Sequence, residues 1–168
     1  MRVAVTGTPG TGKTTATDRA DTDLDVVHLN ELIREEGLAT GEDDERDSLV
    51  ADLEAVETRL ADREDVLVES HLAHHLAVDR VVVLRCRPAE LRERLLDRGE
   101  SEAKATENAE AEALDVVLSE AVDAHGLDSV YEIDTTDRSP EAVAADLEAA
   151  IAGRREPSAG EVDFTDHL

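Results

Sequence analysis

The run "VAVTGTPGTGKTTATDRA" (Val3–Ala20) decides the fold. An apolar segment meets a glycine-rich loop, and Lys-Thr-Thr opens a segment that reads as a helix. Lys13 is one of only two lysines in the chain, Lys104 being the other. Gly7 to Thr14 fits the pattern G-x-x-x-x-G-K-[ST] in its required setting, strand before and helix after. The glycines let the chain curl so that backbone N–H groups point at phosphate oxygens. The start of the helix near Gly12 adds its positive dipole end. Lys13 supplies a compact charge for β- and γ-phosphates, and Thr14 a hydroxyl for Mg²⁺. Arginine is planar and forked and does not replace a point charge in a tight backbone cradle. That explains a lysine here in a chain that otherwise uses arginine.

Outward from this loop, short β-branched runs alternate with helical patterns. Arg2–Thr6, Asp25–Leu29, Asp65–Ser70, Arg80–Arg85 and Ser129–Asp134 read as strands of a parallel sheet covered on both faces. Between them, Glu45–Arg63 places apolar residues at 49, 50, 53, 56 and 60 on one helical face. Pro88–Gly99, Glu107–Gly126 and Ser139–Gly153 read as further helices closed by glycine. The alternation predicts a single α/β domain built of βαβ units. After Gly153 the sequence is polar and aperiodic and is expected to form a mobile tail.

Composition narrows the function. The chain has 168 residues, 42 acidic against 17 basic, and a formal charge of −25. Strong acidity with few aromatics suggests disorder in some chains, but 40% hydrophobic residues in periodic runs favour a folded domain with an acidic coat. A core of Val, Leu, Ile and Ala is expected, since the chain has one Tyr, one Phe and no Trp. The arginine-for-lysine bias under an acidic coat resembles proteins of salt-loving archaea. Such a coat argues against broad nucleic-acid binding, because phosphate backbones are repelled. The single Cys86, the lack of a leader-like start and the lack of a membrane-length apolar run point to a cytoplasmic protein with no membrane partner.

The loop alone says "nucleoside triphosphate", and no guanine-reading Asn-Lys-x-Asp segment accompanies it. Three other segments add chemistry. In "VLVESHLAHH", Glu69 stands at the carboxyl end of a buried strand, where a carboxylate holds Mg²⁺ through water or orients an attacking water. His71 is a candidate proton relay or polar contact to the γ-phosphate. His71, His74 and His75 also invite a metal reading, but no further Cys or His clusters nearby in sequence, so a dedicated transition-metal site is not expected. In "RERLLDRGESEAKATENAE", Arg94 and Arg98 lie four apart on a helix, and a short polar segment with Lys104 follows before Asn108 begins the next helix. This is the layout of a lid that brings cations onto phosphates and sheds water. In "HLNELIREEGLATGEDDERD", Arg34 is a candidate for the phosphate of an acceptor substrate.

These motifs, in this order, resemble the adenylate kinase isoenzyme six family, the small nuclear and archaeal adenylate kinases. "TGTPGTGKTT", "ELIREE", "ES-H", "RLLDRG" followed by Lys104 and "EN", and "DTT" carry the resemblance over residues 1–152. It implies a P-loop nucleoside monophosphate kinase-like core, three layers α/β/α, with five parallel strands in the order 2-3-1-4-5. It implies an acceptor-nucleotide region near 28–51 and a lid near 97–107. Gly10, Gly12, Lys13, Thr14 and Thr15 would bind ATP, with Arg98 contacting it from the lid. Catalysis would rest on Lys13, Glu69, His71 and Arg98, and Mg²⁺ on Thr14 and Glu69. The implied activities are phosphoryl transfer from ATP to AMP or another monophosphate, and ATP hydrolysis. The implied setting is late maturation of the small ribosomal subunit, in transient contact with the platform ribosomal protein of the S-eleven family. This chain departs from the family by carrying Glu69 where Asp is usual, one methylene longer, and "LAHHL" in place of an aromatic-rich segment. A kinase for another small metabolite and a switch-like ATPase assembly factor are the alternatives.

Overall fold

Residues 1–43 and 48–167 are described in a computed structural model of the chain. In chain order the elements are β1 (Arg2–Thr6), α1 (Lys13–Arg19), β2 (Asp25–His28), α2 (Leu29–Glu36), β3 (Ala39–Asp43) and β4 (Ser48–Ala51). They continue with α3 (Leu53–Leu60), β5 (Val66–Glu69), β6 (Arg80–Arg85), α4 (Pro88–Asp97), α5 (Glu102–Ala113), α6 (Val116–His125), β7 (Val130–Asp134) and α7 (Pro140–Ile151). The main sheet is parallel, in the order β2-β5-β1-β6-β7. Counting only its own five strands, that is 2-3-1-4-5, as expected. β3 and β4 form a separate antiparallel pair.

Alternation along the strands builds two cores. Ala4, Val66, Val68, Val81 and Val83 face Ile33 of α2, Val56 and Leu60 of α3 and Leu118 of α6. Val3, Val5, Leu67, Val82 and Leu84 face Ala16 of α1 and Val143, Leu147 and Ala150 of α7. The result is three layers, filled almost wholly by aliphatic side chains, each worth about 1.5–3 kcal/mol when fully buried.

Several expectations change. The helix expected over Glu45–Arg63 begins only at Leu53; residues 48–51 pair in β4, and 44–47 lie outside the described residues. Asp52 supplies the start signal, its carboxylate accepting from the Ala55 N–H at 3.1 Å. The helix expected over Glu107–Gly126 is two helices, broken at Asp115, which adopts φ 56°. The polar segment expected around Lys104 is already helix: Ser101 caps α5, and Lys104 pairs with Glu100 at 3.5 Å. Only a short turn therefore connects α4 to α5.

The stretch expected to be a mobile tail is held against the sheet. Ser158 donates its N–H to the Val130 carbonyl at 3.0 Å, and its hydroxyl accepts from Glu132 N–H at 2.9 Å. Phe164 is buried, with the Arg85 guanidinium 5.3 Å from its ring centre. Arg85 is fully buried and pairs with Glu112 at 3.1 Å, Glu132 at 3.0 Å and Asp115 at 2.5 Å. The last contact accounts for the break at Asp115, because the turn aims its carboxylate at the guanidinium.

Candidate active site

The site assembles at the carboxyl ends of the strands, and register explains its membership. Val5 pairs with Glu69, and Glu69 with His28. The loop leaving β1, the carboxylate ending β5 and the imidazole ending β2 therefore stand side by side. This is the crevice in which open parallel sheets bind ligands.

The loop is seated by glycine. A Cβ on Gly10, at φ 95°, would lie 2.8 Å from Leu91 Cδ1, so the loop rests directly on α4. Gly12 takes φ 91° at the head of α1, with no atom within 4 Å of where a Cβ would stand. Lys13 is buried and its ammonium donates to the carbonyls of Gly7 at 3.0 Å and Thr8 at 3.2 Å. Burial lowers its pKa to about 8, against the opposing pull of Glu69 and Glu112, and Arg98 lowers it further.

Glu69 is buried and shared. Oε1 accepts from the Thr14 hydroxyl at 3.3 Å, and Oε2 lies 2.8 Å from His28 Nδ1. His28 Nε2 in turn lies 3.1 Å from Asp18 Oδ1. The hydrogen bond to Glu69 is the main cause that raises the His28 pKa. Next to Glu69, Ser70 donates to Asn30 Oδ1 at 2.8 Å. The longer carboxylate at this position is thus steadied by His28, a partner the sequence did not reveal.

One pocket of about 610 Å³ gathers these groups. Gly10, Gly12, Lys13, Thr14, Thr15, Glu69, His71 and Arg98 all line it, so every expected site residue but one meets there. Arg34, on the exposed surface of α2, does not line it. Burial, and then Lys13, lower the His71 pKa to about 4, so this imidazole is neutral near pH 7. It therefore offers the pocket a neutral donor or acceptor and not a cation. Arg94, read in the sequence beside Arg98 as a cation of the expected lid, also lines the pocket, and so do Arg138, Asn30, Thr135, Pro140 and Val143, which were not expected as site residues. Arg94 ties the loop to the segment after β7, donating to the Gly10 carbonyl at 3.3 Å and the Thr135 carbonyl at 3.2 Å. Its only sequence signal was its place four residues before Arg98.

The residues fit a magnesium nucleotide. Thr14 and Glu69 present two adjacent oxygens of the hard type that Mg²⁺ takes. Lys13, Arg94, Arg98 and Arg138 bring four cations to one pocket of a chain whose formal charge is −25. Among the described residues no helix is long and apolar enough to cross a membrane.

Residues 3–115 match a family model described as an AAA domain. A protein of Natronomonas pharaonis named "Putative adenylate kinase" is 72% identical over the whole of both chains. Relatives of the same name are 64% identical in Halobacterium salinarum, over the whole of both chains, and 46% identical in Methanosarcina acetivorans, over 90% of this chain and 86% of that one. Among solved structures, the deoxyadenosine kinase from M. mycoides superposes with a TM-score of 0.56 at 12% identity, covering 90% of this chain and 100% of that one. The shikimate kinase from Bacteroides thetaiotaomicron superposes with a TM-score of 0.55 at 15% identity, covering 90% and 98%. At such identities the likeness shows the fold, that of a P-loop kinase.

Proposed function

The chain belongs to the family of these archaeal proteins, and on that footing we propose that it transfers the terminal phosphoryl group of ATP to a nucleoside monophosphate, AMP foremost. The observation that carries this reading is the gathering of Lys13, Arg94, Arg98 and Arg138 around a phosphate loop in so acidic a chain. In the transfer, the bond from the γ-phosphorus to the bridging oxygen breaks, and a bond to an acceptor phosphate oxygen forms. Positioning and electrostatics dominate such a reaction.

Lys13 faces the β- and γ-phosphates, held at the loop by two backbone carbonyls so that little reorganisation is needed. Thr14 and Glu69 would hold Mg²⁺, whose charge would offset that of the phosphates during transfer. Arg98 approaches the transferring group from the end of α4. Neutral His71 orients the attacking group, a water molecule when no acceptor is present, which gives the chain a slow ATPase activity. Asn30, tied to Ser70, marks the acceptor side, and Arg34 one turn further along α2 is the candidate for the acceptor phosphate once the acceptor region closes.

The isoenzyme six resemblance extends the proposal to late maturation of the small ribosomal subunit, with the S-eleven-family platform protein as a transient partner. Its support is the motif order in the sequence. The test of activity is direct. The chain is incubated with Mg·ATP and each nucleoside monophosphate, and diphosphate formation is followed; a parallel run without acceptor measures inorganic phosphate. Diphosphate formed fastest with AMP is expected. No diphosphate with any monophosphate beyond the ADP that hydrolysis yields one-for-one with phosphate would reject the kinase reading and leave only an ATPase.

A further inference from the structure

Outside the nucleotide pocket, the fold completes a cluster that the sequence left incomplete. A single 3₁₀ turn, Ala73–His75, follows Glu69 and His71 and packs against α6. His74 Nε2 lies 2.7 Å from Glu120 Oε2, and His75 Nε2 lies 3.5 Å from the same oxygen. The three ligand atoms all fall within 4.8 Å of one another, the one such group of three metal-ligating side chains among the described residues. Glu120 comes from α6, distant in sequence from both histidines, so spacing alone could not have revealed it.

We propose that His74, His75 and Glu120 form a binding site for a borderline divalent transition ion of the Zn²⁺ type, pinning the turn after His71 to α6. Two imidazole nitrogens and one carboxylate oxygen are the donor set such ions favour. Bonds of about 2.0–2.1 Å to a tetrahedral centre place ligand atoms about 3.3 Å apart. The His75–Glu120 separation, 3.5 Å, is already close to that, and the His74–Glu120 separation, 2.7 Å, needs to open by roughly 0.6 Å.

The surroundings supply what a metal-bound histidine needs. His74 is buried, and its Nδ1 lies 2.7 Å from the Thr6 hydroxyl. That hydroxyl can accept from Nδ1–H, which leaves the Nε2 lone pair free for the ion, so the switch costs a tautomer change and no net proton. An outer partner of this kind fixes the ring and its tautomer. The His74 carbonyl is held as well, accepting from His125 Nε2 at 2.7 Å. Glu120 and His75 are partly exposed, which gives the ion an entry path and leaves room for a water ligand. Mg²⁺ prefers an all-oxygen shell, so the proposed magnesium position at Thr14 and Glu69 and this nitrogen-rich site select different ions. The proposal does not depend on the kinase reading.

The test uses the untagged full chain, stripped with chelator and free of nucleotide. Zn²⁺ is titrated by calorimetry, and Co²⁺ by its visible absorption, which is intense for a tetrahedral site. One ion per chain and a Zn²⁺-dependent rise in melting temperature are expected. His75→Ala and Glu120→Gln, both at partly exposed positions, should weaken binding at least tenfold while the metal-free melting temperature stays near that of the parent. Thr6→Val should weaken it by about 10- to 100-fold through the outer partner. Glu69→Gln should leave Zn²⁺ affinity unchanged. Absence of stoichiometric binding, or binding that survives both His75→Ala and Glu120→Gln, would overturn the site. So would binding lost in Glu69→Gln, which would place the ion in the nucleotide pocket.

Discussion

Replacing His28 by Phe keeps a ring of similar shape at the end of β2 and removes both nitrogens. In the parent, Nδ1 lies 2.8 Å from Glu69 Oε2 and Nε2 lies 3.1 Å from Asp18 Oδ1, so one ring holds the proposed magnesium carboxylate against α1. A hydrogen bond to a charged group contributes about 1.5–3 kcal/mol. His28 is one-quarter exposed by its side chain, so the low end applies. About 1.5 kcal/mol corresponds to roughly a tenfold loss of rate. It should appear as a lower kcat and a higher Mg²⁺ concentration for half-maximal turnover, with the KM for ATP little changed. The same substitution is then made together with Glu69→Asp. That change withdraws the carboxylate by one C–C bond, about 1.5 Å, beyond hydrogen-bond reach of His28. With nothing left to position, the second substitution should cost less than about twofold. The assay is coupled ADP formation over a Mg²⁺ series in all four proteins. A full tenfold loss on top of Glu69→Asp would refute the reasoning, as would a parent-like rate in His28→Phe alone.

Lys13→Ala should lower both phosphoryl transfer and ATP hydrolysis by at least ~10³-fold, about 4 kcal/mol, with circular dichroism unchanged; near-parental turnover would reject the phosphate-loop assignment. Arg85→Met leaves Glu112 and Glu132 buried without their cation and should cost about 3–5 kcal/mol in a denaturant titration; a loss under about 1 kcal/mol would show that the cluster is not a stabilising unit. Cys86 is buried, and burial raises its thiol pKa to about 12. The unfolded thiol ionises from about pH 8.5 while the folded one stays protonated, so stability falls with rising pH above that point, by up to about 1.4 kcal/mol per pH unit from this group. Cys86→Ala should flatten that alkaline slope, and an unchanged slope would remove Cys86 from the account. Raising KCl from ~0.01 M, where the Debye length is about 30 Å, to ~1 M, where it is about 3 Å, should raise both the melting temperature and ATP affinity, because the repulsion of a −25 coat is screened; a melting temperature that is flat or falls with salt would reject the salt-adapted reading.

The parts of this molecule legible in the sequence are those with local causes. Arg2–Thr6 and Arg80–Arg85 are strands to the residue, because β-branched runs bounded by charge have one favourable fate in a covered sheet. The phosphate loop is legible because its glycines and Lys13 act within eight consecutive residues. What escaped has partners far along the chain. Asp115 looks like any residue of an amphipathic helix until Arg85 is placed beside it. Ser158 and Phe164 sit in a polar stretch with no period, and only the edge of β7 and the Arg85 guanidinium give them a place. His28 joins the site through strand register, which no spacing rule shows. The arginine closing the apolar run "RVVVLR" was the one available signal, since a charge at the end of a fully buried strand requires buried partners.

The buried charges also bear on how the phosphate loop keeps its shape. Glu112 stands near the end of α5, the helix that follows the turn after α4. One of its oxygens accepts from the Thr8 hydroxyl at 3.3 Å and from Arg85 at 3.1 Å, and the other accepts from the Cys86 N–H at 2.8 Å. One of the two loop carbonyls that hold the Lys13 ammonium belongs to that same Thr8. Burial alone drives Glu112 toward its neutral form, and Arg85 with these donors opposes it. A carboxylate under such opposed forces is stable only where all its partners are in place, so its geometry resists small displacements. Helix α5 is therefore coupled to the phosphate loop through one acidic side chain. Motion of α5 relative to the sheet would strain the Thr8 contact, and with it the backbone that positions Lys13. The acidic surface coat acts at long range and yields to salt, whereas this inner set of charges is shielded from it. The two populations of carboxylates therefore differ in kind: the outer one is open to screening by salt, and Glu69 and Glu112 hold fixed partners at the site.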